Sequence, residues 1–111
     1  MRGAAMSVYI ISDIEVHDWD RYREYVRQTR PIIESYGGHY HIRGGEITVT
    51  AGDWKPNRLV VIEFPSAEKL EQFGTSTEYQ PVAAIRKSAS TTISSVVVEG
   101  YDGHTDNVPE A

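Results

Sequence analysis

The chain has 111 residues and a mass of 12.5 kDa, which is the size of one domain. Its net charge is −5, but residues 1–100 carry only −2, and this balanced body without a basic stripe speaks against nucleic acid as the main partner. The apolar runs are far shorter than the ~20 residues of a membrane span. The absence of cysteine excludes disulfides and Cys-ligated metals. It is compatible with a reducing cytoplasm, where we expect the protein.

The first third of the chain predicts a strand followed by a helix. Eleven Val and ten Ile stand against two Leu, a bias that favours a sheet-centred fold. We predict a disordered extension over residues 1–6 and a strand over residues 7–16. Asp18 is the predicted N-cap of a helix that Gly37-Gly38 ends and that Pro31 is expected to kink. The apolar stripe of this helix, spaced by three and four residues, consists of Trp19, Tyr22, Val26, Thr29, Ile33 and Tyr36.

The rest of the chain predicts more strands and a divided second helix. Residues 39–43 and 46–50 have the composition of strands, and Gly44-Gly45 between them indicates a bulge or bend. The later predicted elements are a strand over 58–64, a short helix capped by Ser66, a second helical piece ending near Ser88, a strand over 91–99 and a disordered acidic tail over 101–111.

The order β-α-β-β-α-β predicts a ferredoxin-like α+β domain over residues 7–100, with the helices on one face of a four-stranded antiparallel sheet. Both faces of the strands are apolar, since Val60 and Ile62 alternate with Leu59 and Val61. The face without helices should therefore meet a partner. A second copy packed sheet to sheet about a twofold axis is the simplest one, so we expect a homodimer and no nucleic-acid or membrane partner.

One set of polar residues on the predicted sheet is a candidate functional site. Under strict alternation, one face collects the polar residues Tyr9, Asp13, His41, Arg43, Glu63 and Glu99 among Ile11, Leu59, Val61, Ile93 and Val97. Acids beside an Arg and a His in a partly apolar cavity suit general acid–base chemistry. In that interpretation Arg43 holds an anionic group, Glu63 is the acid or base, and His41 assists. In the alternative interpretation, Arg43 and Glu63 form a salt bridge that lines a dimer interface.

Two further patterns in the sequence give weaker evidence of function. His39-x-His41 places two imidazoles on one side of a strand, where Glu63 or Asp13 could add a carboxylate. Without a fixed third ligand the sequence assigns no metal site, and we predict no cofactor. Trp54 lies in a Gly/Pro loop and is either a lid over a cavity or an aromatic packed on a helix. The sequence contains no phosphate-binding Gly-rich loop and no Gly-x-Ser-x-Gly elbow.

Several short motifs taken together resemble the domain-of-unknown-function 1330 family over residues 7–100. The motifs are Tyr36-Gly37-Gly38, Arg43-Gly44-Gly45, Gly52-x-Trp54-x-Pro56-x-Arg58, Val61-Ile62-Glu63-Phe64-Pro65, Glu78-Tyr79-Gln80 and Val98-Glu99-Gly100. The resemblance implies a ferredoxin-like monomer that pairs into a dimeric α/β barrel. Its broader superfamily includes cofactor-free monooxygenases, haem-degrading enzymes, dehydratases and lactone isomerases, so no single reaction follows.

The resemblance also sorts the candidate residues. Arg43, Arg58, Glu63 and Tyr79 lie on the matching motifs, whereas His39-x-His41 is not a family feature. We therefore hypothesise a small-molecule enzyme or binder whose cavity beside the sheet takes a small organic acid or aromatic compound. Its catalytic candidates are Glu63, His41 and Arg43, and its ligand-binding candidates are Tyr9, Asp13, Arg58, Tyr79 and Trp54. The alternatives are a non-catalytic dimeric module whose polar sheet residues are structural and a haem-related role, which requires an imidazole facing the cavity.

Overall fold

The computed structural model describes residues 6–102, and within that range the chain forms four strands and three helices. The predictions for residues 1–5 and 103–111 lie outside the described residues. No helix in the described part has the length and apolar character needed to cross a membrane. In chain order the elements are β1 (Val8–Val16), α1 (Trp19–Ser35), β2 (His39–Arg43), β3 (Leu59–Phe64), α2 (Ala67–Thr75), α3 (Tyr79–Ala89) and β4 (Ser90–Glu99).

The strands form one antiparallel sheet in the order β2-β3-β1-β4, and the helices pack on one of its faces. This is the predicted ferredoxin-like arrangement, with the second helix divided into α2 and α3 as expected. The core lies between sheet and helices because strand residues such as Val8 and Phe64 meet Ile33 of α1 and Val82 of α3 there. The opposite face of the sheet, here called the outer face, has no helix on it.

Local sequence signals set the ends of α1. The Asp18 carboxylate accepts a hydrogen bond from the Arg21 backbone N–H at 3.1 Å, which satisfies one free donor of the first turn. The helix continues through Pro31 to Ser35. Gly37 then takes φ +80°, and the Gly38 N–H bonds back to the Ile33 carbonyl at 2.9 Å, which closes the helix as Gly-Gly predicts.

A serine divides the second helical segment and aligns its two parts. Ser66 caps α2 as predicted, accepting from the Lys69 N–H at 3.1 Å. At the other end, the Ser76 hydroxyl donates to the Phe73 carbonyl at 2.8 Å and accepts from the Tyr79 N–H at 3.2 Å. The hydrogen bonds of Ser76 therefore stabilise the break between α2 and α3. Across this break the centroids of the Phe73 and Tyr79 rings lie 4.3 Å apart.

The predicted strand over residues 46–50 is wrong. Residues 44–58 between β2 and β3 contain no strand or helix, although Ile47, Val49 and the neighbouring threonines have strand composition. A β-branched segment becomes a strand only when another strand pairs with it, and within the described chain no strand pairs with this segment. The result is an exposed loop that starts at Gly44, whose φ is +76°.

Candidate functional site

One candidate site is a cavity of about 370 Å³ between the sheet and the helices, a size typical of ligand pockets. Its floor includes one row of paired strand residues, in which Arg43 lies opposite Val60, Val60 opposite Ser12, and Ser12 opposite Ser95. A neighbouring row adds Tyr40, Ile62 and Ile10, while the helices contribute the roof. The helix residues that line it are Tyr22, Tyr25, Val26, Ile33, Leu70, Phe73, Gly74, Tyr79 and Arg86.

The polar groups of the cavity are guanidiniums, phenols and hydroxyls. No carboxylate and no imidazole is among the described lining residues. Arg43, on the edge strand β2, lies 5.0 Å from the centroid of the Tyr40 ring. Arg86 of α3 donates to the Thr92 hydroxyl on the opposite edge strand, β4, at 3.0 Å. Two cations on opposite sides of an apolar and aromatic cavity favour an anionic ligand.

Tyrosines make the cavity wall both apolar and able to form hydrogen bonds. The hydroxyls of Tyr25 and Tyr79 lie 3.0 Å apart, which joins α1 to α3. Burial raises the pKa of Tyr25 far above its ordinary value, and the neighbouring Tyr79 raises it further. Burial also raises the pKa of Tyr40 to about 12. These phenols are therefore neutral near pH 7 and can serve as hydrogen-bond donors.

The structure corrects the predicted position of Arg43. The pairing of β2 with β3 shifts between Tyr40 and Ile42, so His41 is an extra residue in the strand. Such a bulge reverses the alternation for the residues that follow it. Arg43 therefore lies on the cavity side with Val60, whereas His41 and Glu63 lie on the outer face. The predicted salt bridge between Arg43 and Glu63 does not form, and the three catalytic candidates do not share a site.

The predicted face of β4 is also wrong. Tyr9 pairs with Val98 and Ile11 with Val96, so Val96 and Val98 of β4 share the outer face with these odd-numbered residues of β1. Val97 pairs with Ile10 and lies on the helix side. Glu99 pairs with Val8, so it too lies on the helix side, away from Tyr9. Residue numbers alone do not fix which faces coincide, because the relative register of two strands depends on the connection between them.

Three of the predicted polar residues do meet on the outer face. The His41 Nε2 and Glu63 Oε1 atoms are 2.7 Å apart, and Tyr9 lies beside them with its ring centroid 5.4 Å from that of His41. Hydrogen bonds from His41 and Ser7 hold the pKa of Glu63 below its ordinary value. Partial burial and the Glu63 carboxylate raise the pKa of Tyr9. This cluster is on the opposite side of the sheet from the cavity.

Asp13 and Trp54 have a structural arrangement rather than a place in the cavity. The buried Asp13 carboxylate accepts from the Asn57 N–H at 2.9 Å and lies 3.4 Å from the donors Arg58 N–H and Trp54 Nε1–H. These contacts fix the end of the loop to the sheet. Trp54 remains 59% exposed and is not among the residues that line the cavity.

Arg58 also lies outside the cavity lining. Its guanidinium carbon is 5.6 Å from the centroid of the Trp19 ring and 5.4 Å from that of Tyr22. Gly44 permits this position, because a Cβ there would lie 1.8 Å from the Arg58 Nη1 atom. Gly44 and Arg58, which belong to two different motifs of the sequence, thus meet in a packing contact at the base of α1.

Sequence reasoning missed most of the polar lining. Tyr22 belongs to the apolar stripe predicted for the first helix, whereas Tyr25 and Arg86 are not among the predicted site residues. The signal for Arg86 is nevertheless in the sequence, since it falls within the buried stripe of α3 that contains Val82, Ala83 and Ala89. A charged residue at such a position is rare without a partner or a ligand, which makes it a candidate site residue.

Comparisons with known proteins agree on the fold. Residues 7–101 match the model of the family described as domain of unknown function (DUF1330). A protein of unknown function from Rhodopseudomonas palustris has a TM-score of 0.68 at 16% identity, over 86% of this chain and 82% of that one. Its methylated form gives 0.73 at 14% identity, over 92% and 86%. SnoaB, a cofactor-independent oxygenase from Streptomyces nogalater, gives 0.63 at 16% identity, over 96% and 100%. No curated protein matches the sequence.

Proposed function

This chain belongs to the family described as domain of unknown function (DUF1330), and we propose that the cavity between its sheet and its helices binds a small aromatic acid. The observation that carries the proposal is the combination of Arg43 and Arg86 with a lining free of carboxylates among the described residues. Guanidiniums favour carboxylate and phenolate oxygens, to which they donate charge-assisted hydrogen bonds. The lining supplies no anion of its own to neutralise them.

The remaining lining residues favour an aromatic body for the ligand. Tyr22, Tyr25, Tyr40, Phe73 and Tyr79 surround a space floored by aliphatic side chains. Aromatic rings pack well against one another in offset or edge-to-face geometry. The phenols add neutral donors to the apolar walls. We therefore expect selectivity for an anionic aromatic compound over both an aliphatic acid and a neutral aromatic.

A binding experiment on the unchanged protein tests this class of ligand. Purified protein is titrated with 2-naphthoate and, as the matched neutral compound, with 2-naphthamide, and binding is followed by calorimetry and by the rise in melting temperature. We expect the acid to bind and to stabilise the fold, since a ligand that binds only the native state shifts unfolding to higher temperature. Equal binding of acid and amide, or no binding across a panel of aromatic acids, contradicts the proposal.

We further propose that the protein is a homodimer in which two outer faces pack together. Val96 and Val98 are 58% and 49% exposed, and they share that face with the aliphatic residues Ile11 and Val61. Ile42, on the same face, is 44% exposed. An apolar face of this kind normally contacts another protein surface, and a second copy about a twofold axis can cover its apolar residues.

A second candidate activity is oxygenation of the bound compound without a cofactor. SnoaB is a cofactor-independent oxygenase, and the present chain shares its fold. The support here is a cavity that can hold a hydroxyaromatic anion between two guanidiniums. Oxygen uptake in the presence of protein and a bound hydroxyaromatic compound tests this activity. Uptake equal to that of buffer with the same compound would leave binding as the function.

A further inference from the structure

A second cluster of chemically capable side chains lies apart from the cavity, on the outer face. Glu63 Oε1 is 2.7 Å from His41 Nε2 and 3.3 Å from His39 Nε2. One potential ligand atom from each of the three residues lies within 4.8 Å of the other two. None of these residues lines the cavity, so an inference drawn from them does not depend on the function proposed above.

The fold itself produces this grouping. His39 and Glu63 are directly paired between β2 and β3, so their side chains leave the sheet on the same face. His41 is the extra residue of the bulge, and its imidazole lies beside that of His39 with ring centroids 4.9 Å apart. The bulge that moves Arg43 into the cavity therefore leaves both imidazoles with the one carboxylate. Bulges are frequent where a strand must redirect a side chain for a site.

We propose that His39, His41 and Glu63 bind a divalent transition-metal ion, such as Zn²⁺ or Co²⁺, on the outer face. Two imidazole nitrogens and a carboxylate oxygen form a ligand set that such ions take in proteins. Bonds of about 2.0–2.1 Å in a tetrahedral site place ligand atoms roughly 3.3 Å apart. The His39–Glu63 separation has that value, the His41–Glu63 separation is 2.7 Å, and the three ligand atoms all lie within 4.8 Å of one another. Ca²⁺ and Mg²⁺ are disfavoured because they prefer oxygen ligands.

The surroundings of the cluster support a bound cation. The Glu63 carboxylate also bonds to the side chains of Tyr9 and Ser7, and such outer contacts orient a metal-binding carboxylate. Glu63 is 20% exposed, while the His39 and His41 side chains are 59% and 42% exposed. In a single chain an ion can therefore reach the site from solvent, and three protein ligands leave a fourth position for water.

In the test, purified protein is titrated with Co²⁺ alone. Binding is followed by the change in the visible absorption of this ion when the protein's nitrogen and oxygen ligands replace its bound water. His39→Ala and His41→Ala are compared with His17→Ala, since His17 is exposed and bonds to Thr91 elsewhere on the sheet. We expect saturation at one ion per chain for the wild type and for His17→Ala. The other two variants should bind at least roughly tenfold more weakly, the lower end of the loss seen when even an outer-shell partner is removed. Wild-type-like affinity in these two variants, or no saturable binding by the wild type, overturns the proposal.

A second measurement needs no variant and so does not depend on variant folding. Wild-type protein is treated with diethyl pyrocarbonate, which modifies free imidazoles, with and without Zn²⁺, and the modified histidines are located by mass spectrometry. We expect Zn²⁺ to protect His39 and His41 and to leave the modification of His17 unchanged. Equal modification of all three histidines with and without Zn²⁺ overturns the proposal.

Discussion

The hydroxyl of Tyr25 in α1 lies 3.0 Å from the hydroxyl of Tyr79 in α3, above the floor of the cavity. This contact joins α1 to α3 over the cavity between the sheet and the helices. One phenol donates to the other, and the pair adds a polar contact to the roof of the cavity. Both side chains are largely withdrawn from water, so the bond contributes to stability as well as to the chemistry of the lining.

We predict that Tyr79→Phe destabilises the fold by about 1 kcal/mol. The substitution keeps the ring and its contact with Phe73 but leaves the Tyr25 hydroxyl without its partner in a desolvated place. Urea denaturation followed by circular dichroism measures the change in the free energy of unfolding. Tyr101→Phe is the control, because Tyr101 is 78% exposed. Equal stabilities for the two variants would show that the Tyr25–Tyr79 bond contributes nothing.

A second prediction concerns adjacent glycines. Gly44 has φ +76° and faces the Arg58 guanidinium, whereas a Cβ at Gly45 would meet nothing within 4 Å. Gly44→Ala should destabilise the fold by about 1–2 kcal/mol, since it places a side chain in the left-handed region and displaces Arg58 from Trp19 and Tyr22. Gly45→Ala should leave stability within about 0.5 kcal/mol of the wild type. Urea denaturation of the two variants measures the loss in the free energy of unfolding for each. A larger loss for Gly45→Ala than for Gly44→Ala would contradict this account.

Asp13 is expected to act as the anchor of the loop over residues 44–58. Asp13→Ala should lower the free energy of unfolding by about 2 kcal/mol, because the partly buried N–H groups of Asn57 and Arg58 lose a charged acceptor. Faster cleavage of the loop by a protease should accompany the loss. Asp53→Ala, at an exposed position in the same loop, serves as the control. A loop cleaved at the wild-type rate in Asp13→Ala would show that other contacts hold it.

The proposed dimer gives a fourth prediction. In sedimentation experiments at micromolar concentration the wild type should have twice the 12.5 kDa mass of the chain. Val96→Lys should shift it toward the monomer, since a charge in an apolar contact between copies is costly to bury. Ala84→Lys, on the exposed side of α3, should leave the mass unchanged. A folded wild type that sediments as a monomer would remove the dimer from this account.

The sequence predicts the order and type of the elements because those depend on local signals. Asp18, Ser66 and Gly37-Gly38 mark helix ends through contacts with neighbours in the chain. The family resemblance is confirmed by the match over residues 7–101. The element that failed, residues 46–50, has strand composition, but strand formation requires pairing with a distant segment.

The candidate site was only partly predictable because it depends on strand register. One extra residue, His41, moves Arg43 from the outer face to the cavity and separates it from Glu63. No residue next to His41 indicates a bulge there. The Gly44-Gly45 pair predicts a bulge or bend three positions later in the chain. Arg43 and Tyr79, two of the predicted site residues, line the cavity, but their cavity neighbours Tyr25, Tyr40 and Arg86 become visible only when helix and sheet are packed together.

The most direct test of the cavity as a binding site is the affinity of 2-naphthoate for charge variants of its two arginines. Arg43→Gln and Arg86→Gln each remove one guanidinium from the lining, while Lys87→Gln removes the same charge from the exposed neighbour of Arg86. Calorimetry should show a loss of about 10–100-fold in affinity for the first two variants, the equivalent of one charge-assisted hydrogen bond. The Lys87→Gln protein should bind as the wild type does. Equal affinity in all four proteins would mean that the acid binds elsewhere, and it would contradict the assignment of this cavity as the functional site.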